Sequence, residues 1–335
     1  MNDGKAERKN LKDCKVLVTP TSFGKDDPRL KPALEESVGS VVYNPLARPL
    51  ISAELLPLVG DIDAYIAGLD SIDRSVIEAA QGLRVIARYG VGVDRVDIPA
   101  ATARGIVVTN TPGANSVAVA ELTIALMLAL ARDLCRADTA TRRGEWPRLS
   151  GVGLRGKTVG LVGFGSIGRE VASRLKAFGC RVLTSDPFVQ AETAEACGAR
   201  LVSLDELLPA ADFVSLHASL HPTTVGMVDE GFLENMKPGA FLVNTARGEL
   251  IDEAALARAL EEGRMGGVAL DCFSREPLPA DHPLLRFPKV LVTPHTASHT
   301  DEATNAMGWM SLEACLAVLR GERSPYTINP GAYET

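Results

Sequence analysis

What this chain lacks narrows its class before any motif is read. Only six of its 335 residues are cysteine (14, 135, 180, 197, 272 and 315), and no two form a C-x-x-C pair. That argues against a disulfide framework or a zinc site and for free thiols in a reducing cytoplasm. No apolar run is long enough for a membrane. The richest, 117–131, carries Glu121 and falls short of the ~20 residues that a span requires. The first ten residues, MNDGKAERKN, have no apolar centre, so they read as a loose tail and not as a signal peptide or an anchor. Positive charge is not in excess either. A net charge of −7 offers no general surface for nucleic acid or anionic lipid, although local charge still decides whether a substrate is anionic. Low-complexity segments are absent, and the two halves share no obvious sequence repeat.

What is present is an ordinary globular composition, 46% hydrophobic and 23% charged, in a chain long enough for two domains with sizeable cores. The organising stretch is 158–186, TVGLVGFGSIGREVASRLKAFGCRVLTSD, which reads as strand, glycine turn, helix and second strand. Gly163, Gly165 and Gly168 make G-x-G-x-x-G. The first permits a tight turn, the second lets a pyrophosphate reach the backbone, and the third lets the helix pack on its strand. Phosphates would then meet free N–H groups at the positive end of the helix. Asp186 closes the second strand at the expected ~20 residues beyond the glycines. Its carboxylate suits ribose hydroxyls and repels a 2′-phosphate, and Pro187, Phe188 and Val189 bring no arginine to reverse that preference. The expected cofactor is therefore NAD, not NADP.

Before this stretch, short apolar runs at 15–19, 40–43, 64–67, 84–88 and 106–109 alternate with helical periodicity at 28–38, 52–59, 73–80 and 98–104. Such alternation implies a parallel sheet with right-handed crossovers. A long, almost wholly apolar helix is expected over 113–133, capped by Asn115 or Ser116 and buried between layers or at an interface. Residues 142–156, rich in Gly, Arg, Pro and Trp, read as an excursion. Beyond 186, strands at 201–203, 213–217, 241–244, 267–270 and 290–293 and helices at 204–210, 230–236 and 253–262 complete a second sheet. The last helix, 301–320, has no strand left there and should pack back on the first sheet. The expected fold class is α/β, with two doubly wound parallel-sheet domains and a cleft between them. Residues 1–112 with 297–335 would bind substrate, and 113–296 would bind the nucleotide.

Ligands of open α/β sheets bind outside the carboxyl ends of the strands. Three polar groups fall there late in the chain: Arg247 at the close of FLVNTARG, Glu276 after GVALDCF, and His295 after VLVTP. An arginine can hold a carboxylate through two parallel hydrogen bonds and polarise a carbonyl. A histidine can exchange a proton with an alcohol or carbonyl oxygen, and a nearby glutamate can orient it and stabilise its protonated form. Alone, each is more often a surface charge than a catalyst. Together, beside a dinucleotide fold, they suit hydride transfer between NAD and a 2-hydroxy acid. His295 and His299 stand four apart, but Pro294 precedes the first and no third ligand stands out, so no metal is expected.

The chain resembles the D-isomer-specific 2-hydroxyacid dehydrogenases over about residues 14 to 325. The resemblance rests on RYGVGVDRVD (88–97), NTPGANSVAVAEL (110–122), GLVGFGSIGREVA (160–172), NTARGELIDEAAL (244–256), ALDCFSREP (269–277) and TPHTAS (293–298). It implies a flavodoxin-like substrate domain and a Rossmann nucleotide domain. It also implies that Arg247 anchors the substrate, His295 is the acid/base and Glu276 supports it. Ser166 and Ile167 would meet the pyrophosphate, Asp186 the adenosine ribose, and Thr245, Ala246 and Asp271 the nicotinamide side. In the loop 88–94, N–H groups around Val91 and Gly92 would take the substrate carboxylate, although the same loop could be only a tight strand-to-helix turn. Arg88 matches an arginine that faces the substrate phosphate in phosphoglycerate-type members, so 3-phosphoglycerate/phosphohydroxypyruvate is a candidate pair, with a hydroxypyruvate or glyoxylate reductase as the alternative. Ser219, in HASLHPTT, stands where members often have proline, and Ala218 is still expected to approach the cofactor through its backbone. The apolar helix from Val117 and the arm around Trp146 match elements used in dimerisation, implying a homodimer. A rival of a different class is an NAD(H)-sensing corepressor-like binding protein, which the family also contains.

Overall fold

Two all-parallel sheets account for nearly every strand in the computed structural model, which describes residues 9–335. They belong to two units: one runs to Asn115 and resumes over His299–Thr335, and the other is Ser116–Ser298.

In the first unit the strands are Lys15–Val18 (β1), Ser40–Tyr43 (β2), Ala64–Ala67 (β3), Val85–Arg88 (β4) and Val107–Thr109 (β5). Helices Leu30–Glu35 (α1), Ser52–Val59 (α2), Arg74–Ala79 (α3) and Ile98–Ala103 (α4) connect them in sequence. The order β2-β1-β3-β4-β5 is the flavodoxin-like one, reversing between β1 and β3. Strands β3 and β4 are buried at every position, as expected where helices cover both faces of a parallel sheet. Aspartates set the helix starts: Asp73 accepts from Ser75 and Val76 N–H at α3, and Asp97 accepts from Ala100 N–H at α4.

The second unit opens with Ser116–Arg132 (α5) and Leu134–Arg142 (α6), followed by an irregular arm. Its sheet is built from Thr158–Val162 (β6), Arg181–Ser185 (β7), Ala199–Leu201 (β8), Phe213–Leu216 (β9), Phe241–Asn244 (β10), Gly267–Leu270 (β11) and Val290–Val292 (β12). Between them run Ser166–Ala177 (α7), Ala191–Ala196 (α8), Leu204–Ala210 (α9), Glu230–Asn235 (α10) and Glu253–Glu261 (α11). The order β12-β11-β10-β9-β6-β7-β8 is the Rossmann order with one further strand, reversing between β6 and β9. Separate apolar clusters pack the two faces of this sheet, with Phe213 stacked on Phe241 at 4.6 Å between ring centroids on one of them.

The last helix, Asp301–Leu319 (α12), packs on β3 and β4 of the first sheet, as its lack of a strand partner in the second predicts. Gly308 allows that approach, because a Cβ there would sit 2.4 Å from Leu30 Cδ2. Tyr89 donates its hydroxyl to Thr304 O at 2.8 Å, and Trp309 Nε1 donates to Asp27 at 3.0 Å.

Four local expectations need correction. Residues 201–203 are not a strand, because Ser203 caps α9 in a reciprocal pair with Glu206 and β8 ends at Leu201. The helices α6 and α8 had no periodic apolar stripe to announce them, each burying a single side chain. Neither proposed cap of α5 forms, since Asn115 Oδ1 and Ser116 Oγ are buried without a hydrogen-bond partner. Of the expected tail, residues 1–8 lie outside the described part, but Lys9 pairs with Asp63 at 2.7 Å and Asn10 caps a short 3₁₀ turn. All six cysteines are free thiols. No helix among the described residues is long and apolar enough to cross a membrane.

Candidate active site

The glycine turn after β6 behaves as its spacing predicts. Gly163 has φ +94, and a Cβ there would lie 2.6 Å from Ala218 N, so the turn and the 217–218 backbone are in direct contact. A Cβ on Gly168 would lie 2.6 Å from Gly163 O, which lets α7 start tight against the strand. At Gly165 nothing lies within 4 Å of that position. Here the backbone is open, with Ser166 and Ile167 in the first turn of the helix behind it. Open backbone at the positive end of a twelve-residue helix is what a pyrophosphate requires. Asp186 stands at the end of β7 and accepts from Phe164 N at 2.7 Å and from Phe188 N at 2.8 Å. Each carboxylate oxygen keeps acceptor capacity for a ribose hydroxyl. These residues fit a dinucleotide.

His217, just past β9, lies 3.0 Å from Ser215 Oγ, and burial lowers its pKa to about 4, so it is neutral.

At the end of β10 the buried Asn244 shapes the next turn. Its Oδ1 accepts from Ala246 N at 3.0 Å and its Nδ2 donates to Arg247 O at 2.7 Å. Thr245 Oγ1 bonds Thr123 of α5 at 2.8 Å, and Arg247 Nη1 donates to Ala246 O at 2.8 Å. Gly248 then passes against the backbone of Phe273, where any Cβ would collide at 1.9 Å. Only glycine lets the Arg247 turn lie so close to the loop after β11.

That loop and the one after β12 hold the titratable pair. His295 Nδ1 lies 2.9 Å from both carboxylate oxygens of Glu276, and Glu276 Oε1 also accepts from Phe273 N at 3.1 Å. Both side chains are largely covered, 20% and 15% exposed, which strengthens their attraction. His295 adopts φ +52, a left-handed conformation that costs a non-glycine residue roughly 1–2 kcal/mol. Asp271 maintains it. Fully buried, it accepts from Thr293 Oγ1 at 2.5 Å, Thr296 N at 3.0 Å and Ala297 N at 3.0 Å, gripping the loop on both sides of the histidine.

In the first unit, the loop after β4 is anchored through three successive carbonyls. Arg88 Nη1 donates to Tyr89 O at 2.7 Å and to Ala67 O at 3.0 Å, Thr111 N to Gly90 O at 3.0 Å, and Asn110 Nδ2 to Val91 O at 2.8 Å. Because each peptide is trans, the N–H groups of Val91 and Gly92 point away from these anchors. Arg88 is itself only 5% exposed.

Within the second unit, then, Arg247, Glu276 and His295 come together at neighbouring strand ends, with Asp271 beneath them, while Gly163, Gly165, Ser166, Ile167, Gly168, Asp186 and Ala218 gather at the switch point. Arg88, Val91 and Gly92 form the loop of the first unit. Sequence reasoning missed Asn244, whose signal was a polar side chain at a buried strand end. It also missed the thiol of Cys272, which with Glu276 and His295 supplies donor atoms all within 4.8 Å of one another. Chain spacing could not reveal that grouping, which brings together residues of two loops and does not include His299.

Comparison with known proteins places these motifs among relatives. Residues 124–297 match the family model described as the D-isomer specific 2-hydroxyacid dehydrogenase, NAD binding domain. D-3-phosphoglycerate dehydrogenase of Methanocaldococcus jannaschii is 43% identical over 321 residues, covering 94% of this chain and 59% of that protein. The chain thus spans a little over half the length of that relative. Glyoxylate reductase of Thermofilum pendens is 42% identical over 304 residues, covering 88% and 90%. Among solved structures, D-lactate dehydrogenase of Aquifex aeolicus complexed with NAD and lactic acid superposes with a TM-score of 0.82 at 28% identity, covering 94% and 99%.

Proposed function

The chain belongs to the D-isomer-specific 2-hydroxyacid dehydrogenase family, and from that premise we propose that it interconverts a D-2-hydroxy acid and its 2-keto acid with NAD as cofactor. The observation that carries the reading is the His295–Glu276 pair, 2.9 Å apart and held by Asp271 at strand ends of a sheet whose glycine turn fits a dinucleotide.

In its reduced form the cofactor supplies the hydride for the keto carbon. The chain's own residues do the rest. His295 gives a proton to the carbonyl oxygen through the ring nitrogen opposite Glu276, or takes the hydroxyl proton in the oxidative direction. Glu276 orients the ring and stabilises its charged form. Arg247 pairs with the substrate carboxylate and polarises its carbonyl. In the first unit, the N–H groups of Val91 and Gly92 are donors of the kind that a carboxylate takes. The open turn at Gly165, with Ser166 and Ile167, takes the pyrophosphate, Asp186 the adenosine ribose, and the Ala218 backbone lies alongside. Thr245, Ala246 and the remaining lone pair of Asp271 serve the nicotinamide side. Residues 1–112 with 297–335 are thereby assigned to substrate and 113–296 to the nucleotide. We assign the chain to the cytoplasm, on its six free thiols, and to a homodimer, on the exposed Leu134 of α6 and Trp146 of the arm.

The first substrate pair to test is 3-phosphoglycerate/phosphohydroxypyruvate. A second reading, reduction of hydroxypyruvate or glyoxylate, is favoured by one observation: Arg88 is buried and one of its amino groups is held by main-chain carbonyls. Oxidation of NADH by the purified protein against phosphohydroxypyruvate, hydroxypyruvate, glyoxylate and pyruvate, with NADPH in parallel, separates the two. Preference for the phosphorylated acid supports the first and preference for a small uncharged one the second. Silence on every acid, with NADH still bound, would replace both with a cofactor-sensing protein.

A further inference from the structure

Cys272 sits directly against the acid/base pair, yet hydride transfer gives its thiol nothing to do. One donor atom from each of Cys272, Glu276 and His295 lies within 4.8 Å of the other two, and the Glu276–His295 contact is already 2.9 Å. Tetrahedral zinc with bonds of about 2.0–2.3 Å to nitrogen, oxygen and sulfur spaces such donors roughly 3.3–3.7 Å apart, so only small side-chain shifts separate the present positions from a coordination shell. The three ligands are also preorganised. Cys272 follows β11 on the loop packed against Gly248, and His295 is fixed by the Asp271 grip. The thiol's present partner is weak: Sγ donates to Ala246 O at 3.4 Å.

Charge favours a cation as well. Burial holds the Cys272 thiol protonated, so a cation has to displace its proton. The charged groups around it are mostly carboxylates, Asp271, Glu276 and Glu249 against the guanidinium of Arg247, and these attract a cation. A thiolate, an imidazole and one carboxylate select a thiophilic ion over Mg²⁺ or Ca²⁺, which prefer all-oxygen shells.

We propose that Cys272, Glu276 and His295 form an inhibitory site for a thiophilic divalent cation of the Zn²⁺ class. Binding forms a metal–sulfur, a metal–nitrogen and a metal–oxygen bond. The Cys272 thiol proton leaves to solvent, no redox change occurs, and the fourth position stays with water. A metallated His295 whose partner carboxylate is also bound can no longer exchange a proton with substrate. The inhibition rests on the proposed role of His295, whereas the metal site itself does not.

Co²⁺ tests the site without any turnover. Added to the protein in the absence of substrate and NADH, it should give a thiolate-to-cobalt absorption band that Zn²⁺ displaces and that Cys272→Ser abolishes, the other five cysteines remaining as internal controls. Cys272→Ala replaces the serine variant if the buried position rejects a hydroxyl. In the NADH assay, Zn²⁺ should inhibit the unmodified protein reversibly by EDTA, and the Cys272 variant should require on the order of tenfold or more Zn²⁺ for the same effect. No cobalt–thiolate band, a band that persists in the variant, or equal zinc inhibition of both proteins overturns the proposal. A band in a protein that reduces no keto acid leaves the metal site standing and removes the dehydrogenase reading.

Discussion

His295 concentrates most of the chemistry at the residue scale. It holds an unfavourable backbone conformation and faces Glu276 with one nitrogen, and in the proposed reaction the other meets the substrate. Replacing it with asparagine should lower turnover by on the order of 10²- to 10⁴-fold while NADH binding, followed by fluorescence, stays nearly unchanged. Unaltered turnover would remove the assigned role. A second histidine contributes to acid sensitivity. His217 is held near pKa 4 by burial, below its ordinary 6.5, so the folded state binds fewer protons than the unfolded one between those values. Its contribution is complete above about pH 6.5 and is lost as pH falls toward 4. It amounts to at most about 3 kcal/mol, an upper figure because the residue keeps some exposed surface. Urea midpoints measured across that window should fall less steeply for His217→Asn than for the unmodified protein.

Among the elements, the glycine turn between β6 and α7 separates packing from binding. Gly163→Ala pushes a methyl group into the 217–218 backbone from a positive φ, and should cost about 1–3 kcal/mol or more, read as a lower thermal midpoint. Gly165→Ala meets no neighbour and has φ −69, so its midpoint should hold while NADH affinity falls by about tenfold, ~1.4 kcal/mol. Equal affinities for Gly165→Ala and the unmodified protein would mean that the open backbone is not where the pyrophosphate lies. The turn was legible in the sequence because three glycines at fixed offsets have few physical explanations. The small helices α6 and α8 were not, since each buries one alanine and leaves no stripe to read.

For the whole molecule, three exposed apolar residues of the second unit lie on consecutive segments, Val117 on α5, Leu134 on α6 and Trp146 on the arm, the last 79% exposed. Phe178, Phe188, Val225 and Leu285 are exposed elsewhere on that unit. A contiguous exposed apolar patch marks a contact surface, whereas a single exposed apolar residue needs no explanation. Light scattering at micromolar concentration should give twice the mass of the 335-residue chain, and Trp146→Ser should shift it toward the monomer. A monomeric mass for the unmodified protein would count against the dimer. The return of α12 to the first sheet was legible for a topological reason, as the second sheet had no strand left to offer it.

The sequence by itself determined the two parallel sheets, the dinucleotide turn, the choice of Asp186 and the three strand-end groups Arg247, Glu276 and His295. Each follows from local spacing: glycines at a turn, a polar residue where an apolar run stops, a helix with no strand to follow. Tertiary structure alone decided that Asp271 grips the His295 loop, that Gly248 permits the Arg247 turn to touch Phe273, and that Cys272 lies beside the Glu276–His295 pair. Those outcomes depend on which strand lies beside which, and β11 and β12 become neighbours only through hydrogen bonds between segments about twenty residues apart, a pairing that no local pattern encodes.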